Sequence, residues 1–340
     1  MGWGEGDYKV NAPLAVYSED FLKHRPAPAH PERPERLEVI VEALKRVGIW
    51  HQIKIMPPRK AKEEEVLLVH QRSYLELLKD VCRREIPLDG DTPTKPDTYE
   101  AALLAAGGTL VGAEEVLKGK SCFCLVRPPG HHASRNRGAG FCYLNNAAIA
   151  AAWVKQRGIK RVLIFDLDAH CGDGTEEIFY SDPSVLYISF HQDPYTLYPG
   201  TGFTWQIGEG EGEGYTVNVP MPPGSGDAEY AAALQEIFEP LCAQYKPEMV
   251  IVSMGFDAHE DDPLTSLRLS SNSFGWLAEA VIRKGPALFV LEGGYNSRGL
   301  AEGACNVFRA MLGERFEMQQ PKRIPVIDEV RSILSKYWKF

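Results

Sequence analysis

Continuous apolar runs constrain this chain most. They lie at residues 14–18 (LAVYS), 122–126 (CFCLV), 162–166 (VLIFD), 185–190 (VLYISF), 249–255 (MVIVSMG) and 287–294 (ALFVLEGG). None alternates polar with apolar, as a strand half-exposed to water would; runs of this kind belong to strands covered on both faces, the interior of a parallel sheet. Helical patterns fill the gaps. In RPERLEVIVEALKRVG, Leu37, Ile40, Val41 and Leu44 recur at i, i+3, i+4 and i+7, and Gly48 supplies a stop. Further helices are expected over 97–119, 143–158, 227–245, 271–285 and 299–313, with a C-terminal helix over 325–340. Strand and helix in alternation predict an α/β fold in which helices flank a mostly parallel sheet.

No repeat is evident, and no low-complexity linker is long enough to separate domains. The Gly/Glu stretch 207–216 leads straight into another apolar segment, YTVNVPMP. One domain over 1–340 is therefore expected. The formal net charge of -9, from 46 acidic and 37 basic residues, disfavours non-specific attraction to nucleic acid or to an anionic membrane and is compatible with a cationic substrate. Seven scattered cysteines form no disulfide framework, and Cys122 and Cys124 lack the second pair a zinc knuckle needs. They read as buried strand residues of a protein in a reducing cytoplasm. The first residues, MGWGEGDYKVNAPL, show neither a signal peptide nor a myristoylation pattern, and no run reaches the roughly eighteen apolar residues of a membrane span.

Ligands of such sheets bind beyond the carboxyl ends of the strands, and four of the runs end in chemically loaded segments. Asp166, Asp168, His170 and Asp173 follow the third run within a few positions. Unpaired buried carboxylates are costly, so these must face water, hold a cation or find partners elsewhere. His131 and His132 follow a stiff Pro-Pro-Gly turn; Asp257 ends MVIVSMGFD; Tyr295 follows Gly293 and Gly294. Asp168, His170 and Asp257 would supply one imidazole and two carboxylates, a three-donor set with an open position, as catalytic zinc requires. Asp166 and Asp173 would be left to orient the two histidines. The chemistry such a set suits is metal-assisted hydrolysis of an acyl group, with a histidine moving the proton and a tyrosine hydroxyl, hinged on two glycines, steadying the oxyanion.

The segments RPPGHHA, GFCYLNNAAIAA, DLDAHCGDGTEEIFY, SFHQDPYTLYPGTG, GFDAHEDDPL and LEGGY, in this order, resemble the zinc-dependent histone deacetylase superfamily, which also holds acetylpolyamine amidohydrolases. AHPERPERL resembles its class II branch. The resemblance covers about 14–312 and implies the three-layer arginase/deacetylase fold with about eight strands. It implies Zn2+ on Asp168, His170 and Asp257, Fe2+ being open on the same donors. His131 with Asp166 and His132 with Asp173 match the paired histidines and their acids, His132 being the main general base, and Tyr295 matches the catalytic tyrosine. A structural K+ or Na+ would use Asp166, Asp168, His170, Ser189 and Phe190. Substrate contacts would come from Asp91, Gly140, Phe141, Tyr198, Leu264 and Gly293, with Phe141 and Tyr198 as the walls of an acyl-lysine channel.

Two departures stand out: Cys171 where a second histidine is frequent, and Tyr198 where phenylalanine is. The expected function is removal of acetyl groups from N-ε-acyl-lysine in proteins or peptides. Acetylpolyamines are the alternative substrate, and apolar Leu264, where a polyamine-specialised branch carries an acid, argues for lysine. Three rivals remain open: a dimanganese ureohydrolase, disfavoured by His259 where a second carboxylate is needed; an inactive acetyl-binding module; and a Cys171 nucleophile. Oligomeric state is not legible.

Overall fold

The computed structural model describes residues 12–340; the reading of the extreme N-terminus falls on residues 1–11, outside the described residues. Eight strands form one sheet: β1 (Leu14–Val16), β2 (Lys54–Met56), β3 (Cys122–Cys124), β4 (Val162–Asp166), β5 (Val185–Gln192), β6 (Thr216–Met221), β7 (Met249–Met254) and β8 (Ala287–Leu291). Their order is β2-β1-β3-β8-β7-β4-β5-β6, and every pairing is parallel. Each continuous apolar run contains a strand, and β3, β4, β5, β7 and β8 are buried along their whole length. The fold is the α/β arrangement expected from the alternation.

Helices cover both faces of this sheet. Asn146–Lys155 and Thr98–Leu117 are buried on nearly every side, which explains their Ala- and Gly-rich sequences: small side chains let a helix lie close on a sheet. The segment expected as one helix over 227–245 is continuous but mixed, α over Asp227–Ala233, π over Leu234–Phe238 and α again over Glu239–Tyr245. Phe238 in the π segment stacks on Phe165 of β4 with ring centroids 4.4 Å apart. The C-terminal helix is shorter than expected, Pro325–Leu334, and its buried face is Ile327, Val330 and Leu334.

Periodicity alone missed several elements. β2 is three residues long, half-exposed, at the sheet edge, and too short to show a pattern. The helix Arg72–Arg84 buries only Tyr74, Leu75, Leu78, Val81 and Cys82 among charged neighbours. Asp173–Phe179 is a single short helix hidden behind the acidic segment. β6 carries Pro220, which a central strand would not accept; it is tolerated because β6 is the opposite edge. All seven cysteines are free and buried.

Strands β3 and β4 are consecutive in the chain yet separated in the sheet by β8 and β7. Chain direction across the sheet reverses there, which opens a crevice at the carboxyl ends of four neighbouring strands.

Candidate active site

Those four neighbours, β3, β8, β7 and β4, are the strands whose loops carry His131 and His132, Tyr295, Asp257, and Asp168 with His170. At the centre, His170 Nδ1 lies 3.0 Å from Asp168 Oδ1 and 3.0 Å from Asp257 Oδ2. Donor atoms of the three residues all lie within 4.8 Å of one another. Their remaining oxygens are aimed by the backbone: Gly293 N–H donates to Asp168 Oδ2 (2.7 Å) and Ala169 N–H to Asp257 Oδ1 (2.8 Å). Both carboxylates are fully buried. Burial pulls the His170 imidazole down, but its hydrogen bonds to Asp168 and Asp257 lift it further, to about 10. A set that draws a proton so strongly calls for positive charge at its centre, and one imidazole with two carboxylates fits a small divalent ion of zinc type.

The two histidines differ in environment. His131 Nδ1 faces Asp166 Oδ2 at 3.2 Å, and its Nε2 lies 3.8 Å from Asp168 Oδ1. Burial lowers His131, yet Asp168 and Asp166 outweigh it and raise the imidazole well above its ordinary value. His132 Nδ1 lies 2.7 Å from Asp173 Oδ1, whose other oxygen accepts from Arg137 (2.9 Å). Burial, with the neighbouring His131, pushes His132 down to about 4 against the opposing pull of Asp173. Burial and the neighbouring carboxylates thus shift the two imidazoles in opposite directions. The loop bearing them is braced by the helix that follows: Asn145 Nδ2 donates to Ala133 O (3.0 Å) and Asn146 Nδ2 to Pro128 O (3.1 Å).

Tyr295 departs from the expectation of a hydroxyl hinged on two glycines. Its N–H donates to Asp262 Oδ2 (2.7 Å), Arg36 Nε holds Gly294 O (2.7 Å), and the Arg36 guanidinium stands 5.0 Å from the ring centroid. The loop is clamped. Gly293 is required for a different reason: a Cβ there would come within 2.3 Å of Asp257 Oδ2 and 2.5 Å of Asp168 Oδ2. Arg36 in turn belongs to a buried cluster with Glu32 and Arg127 that includes a 2.7 Å contact from Arg127 Nη2 to Glu32 Oε2.

Above the donors lies a cavity of about 250 Å³. His131, His132, His170, Gly293 and Tyr295 line its floor; Asp91, Gly140, Phe141, Tyr198 and Leu264 line it towards solvent. Phe141 sits 5.8 Å from Tyr295 and Tyr198 5.0 Å from His132, centroid to centroid. Phe141 is held at φ 68, a conformation a bulky residue seldom adopts, by a hydrogen bond from its N–H to Thr92 Oγ1 (3.0 Å). Asp91 is placed by its carbonyl, which His30 Nε2 engages at 3.0 Å. Pro31, Pro129 and Leu197 complete the lining and were not foreseen; neither were the roles of Arg36, Thr92, Arg137 and Asp262. Arg36 and Pro31 lie in the AHPERPERL segment, the one signal that pointed to them.

The other expected residues fall as follows. Ser189 pairs in register with Asp166, and Asp166 Oδ1 accepts from Asp168 N–H at 3.2 Å. The Phe190 ring points into the core, 5.0 Å from Phe165, while its carbonyl accepts from Tyr230 (3.4 Å). Cys171 is buried with Sγ 3.5 Å from Glu176, and burial drives its thiol well above the ordinary value, which removes a thiolate nucleophile. His259 is turned away from the donors: Nε2 meets Ser271 Oγ (2.9 Å) and Nδ1 accepts from Asp261 N–H (3.1 Å). It supplies no second metal site of the ureohydrolase kind.

Residues 30–311 match the family model described as Histone deacetylase domain. A probable deacetylase of Archaeoglobus fulgidus is 42% identical over 354 aligned residues, covering 95% of this chain and 98% of that protein. A probable deacetylase of Methanothermobacter thermautotrophicus is 40% identical, over 89% of this chain and 92% of its own. Histone deacetylase 10, chloroplastic, of Oryza sativa is 38% identical, over 84% of this chain and 70% of its own. Among solved structures, the HDA15 HD domain superposes with a TM-score of 0.91 at 34% identity, covering 97% of this chain and 96% of that one. By sequence over most of its length and by fold over nearly all of it, the chain belongs to the histone deacetylase family.

Proposed function

We propose that this chain is a zinc-dependent hydrolase that removes the acetyl group of N-ε-acetyl-lysine in proteins or peptides. One observation carries the reading: the cavity walled by Phe141 and Tyr198 reaches His170, which is grouped with Asp168 and Asp257, and His131, His132 and Tyr295 line the same cavity. Zinc bound by these three residues would polarise the acyl carbonyl and lower the pKa of the attacking water.

The chain's own groups do the rest. The methylene stem of the acyl-lysine lies between the two aromatic walls, which exclude water from the reacting end. His132 donates its Nδ1 proton to Asp173, so Nε2 keeps a lone pair and accepts the proton of the attacking water, later returning it to the leaving amine. His131, backed by Asp166 at 3.2 Å, stands beside His132 and is placed to steady the developing charge. The Tyr295 hydroxyl donates to that oxyanion, and its clamp by Arg36 and Asp262 means little reorganisation is needed. A structural K+ or Na+ would be held by Asp166, Asp168, His170, Ser189 and Phe190, of which Asp166 and Ser189 pair in register on β4 and β5.

Lysine is favoured over polyamine by the cavity rim. Leu264 is apolar and 38% exposed, Asp261 is neutralised by Arg298 (3.1 Å), and Asp262 is spent on the N–H groups of Leu264 and Tyr295. The 261–264 segment thus leaves little charge to draw a distant ammonium, so that any such pull comes from Asp91 and the exposed Glu260. The test compares kcat/KM on acetyl-lysine peptides with N-acetylputrescine and N8-acetylspermidine, for the wild type and Leu264→Glu. Peptides should lead, and the variant should shift towards polyamines; a tenfold wild-type preference for polyamines sinks the lysine assignment.

A further inference from the structure

Residues 162–245 contain 14 Asp and Glu and not one Lys or Arg. Several of these acids lie buried at the donors or are answered from other segments, as Asp182 is by Lys155 and Glu236 by Arg331. A remainder gathers in a groove of about 380 Å³ on the far side of Asp173 from His132. Asp173, Glu176, Glu177 and Glu209 line it, and the one cation among its lining residues is Arg137, already bonded to Asp173 (2.9 Å). Glu177 and Glu209 form no ion pair among the described residues; Glu209 accepts only from Ser181 Oγ (3.0 Å).

Glu176 points the same way independently. It is 4% exposed and has no cationic partner; both of its contacts, from Cys171 Sγ (3.5 Å) and Asn218 Nδ2 (3.4 Å), are long and reach Oε2 only. Its other oxygen has no protein donor among the described residues and is open to water, and the residue lines the groove. Desolvation with so few donors raises this carboxyl to about 7, and a cation in the groove would restore its charge.

Beside the groove stands an aromatic ladder. Gln206, which lines the groove, accepts through Oε1 from Thr201 Oγ1, Gly202 N–H and Phe203 N–H (2.9, 2.8 and 2.8 Å) and so fixes the preceding turn. On that turn Phe203 and Trp205 stack at 4.5 Å with planes 6° apart, and Tyr195 packs on Phe203 at 4.9 Å. Trp205 is 58% and Tyr195 78% exposed, an unusual cost for rings of this size in water. Tyr195 is three positions before the channel wall Tyr198, so the ladder belongs to the same loop as the mouth.

We propose that the groove and the ladder form an exosite for a basic residue, Arg or Lys, in the peptide that flanks the acyl-lysine. The inference rests on the acyl-lysine reading and deepens it. Carboxylates with no internal cation attract a guanidinium or ammonium, and exposed stacked rings hold such a group by cation–π contact. A guanidinium suits both at once, since its plane stacks while its edge donates.

The experiment measures kcat/KM on acetyl-lysine peptides with Arg, Ala or Glu at the flanking positions and on the minimal N-acetyl-lysine amide. The enzymes are the zinc-loaded wild type, Trp205→Ala, and the double variant Glu177→Gln, Glu209→Gln. Arg peptides should exceed Glu peptides by about tenfold at low salt, a preference that shrinks as salt is raised. Each variant should lose about three- to tenfold on the Arg peptide, mainly in KM, and change little on the amide. Equal rates across the peptides, or variants that depress the amide as much as the Arg peptide, overturn the exosite while the deacetylase reading stands. Failure of the wild type on every acetyl-lysine substrate overturns both.

Discussion

Replacing Glu32 with Gln tests whether the buried charge cluster both stabilises the protein and positions Tyr295. Glu32 is fully buried between Arg127 and Arg36, contacting Arg127 Nη2 at 2.7 Å and Arg36 Nη1 at 3.2 Å. Burial raises its carboxyl, but Arg127 above all, with His24 and Arg36, brings it down from 4.5 to about 2. At 1.36 kcal/mol per pKa unit, that difference is worth about 3 kcal/mol to the native state. Independently, removing one partner of a buried ion pair costs about 3–5 kcal/mol, because the charge left behind stays desolvated. The two routes agree, so Glu32→Gln should destabilise by about 3 kcal/mol at neutral pH. A carboxyl depressed on folding stabilises fully above its unfolded value and less as the pH drops. The gap between wild type and variant should therefore be constant above about pH 5.5 and close progressively below 4.5, towards about 2. Urea unfolding across that range reads it directly. With Arg36 released from Glu32, its hold on Gly294 O and on the Tyr295 ring loosens, so kcat should fall more than KM rises. A stability loss below about 1 kcal/mol, or a gap independent of pH, would refute the reasoning.

Three other outcomes are expected. Asp257→Ala removes one of the two carboxylates in the proposed three-donor set, so elemental analysis should show loss of the transition metal and turnover should vanish; two tightly bound metals in active wild type would contradict the single-site assignment. Tyr295→Phe should cost roughly a hundredfold in kcat while substrate and zinc still bind, and His132→Ala should cost at least as much. Crippling loss in His131→Ala with a mild effect in His132→Ala would reverse the roles given to the pair. His70 uses both ring nitrogens in its neutral form, Nδ1 donating to Ser134 O (2.8 Å) and Nε2 accepting from Asn145 N–H (2.9 Å), and burial lowers it to about 4. Since its folded value is depressed, the unfolded chain takes up a proton first, and stability should fall as pH drops from 6.5 towards 4. His70→Gln, although less stable, should show a shallower decline over that window in urea midpoints; an equal slope would count against His70 as the sensor.

Much of this molecule was legible from residue order alone. Six of the eight strands coincide with the continuous apolar runs, β5 extending two residues past its own, because a strand covered on both faces is apolar along most of its length. The candidate metal donors, the histidine pair, their acids and Tyr295 could be singled out because chemistry of that density at strand ends has few uses, and the ordered motifs resemble one family. Other features were not written locally. The pairing of β3 with β8 and of β7 with β4, which sets the four loops side by side, depends on contacts between segments more than a hundred residues apart or nearly so. The clamp on Tyr295 joins Arg36 to Gly294 across 258 positions, and no periodicity reports a partner that distant. His131 and His132 are adjacent and chemically identical in the sequence; one imidazole is pushed up and the other down because folding sets Asp168 and Asp166 against the first and buries the second beside it with only Asp173. Residue types determine which chemistry a chain can perform, but burial and long-range pairing assign the protonation state that each group brings to it.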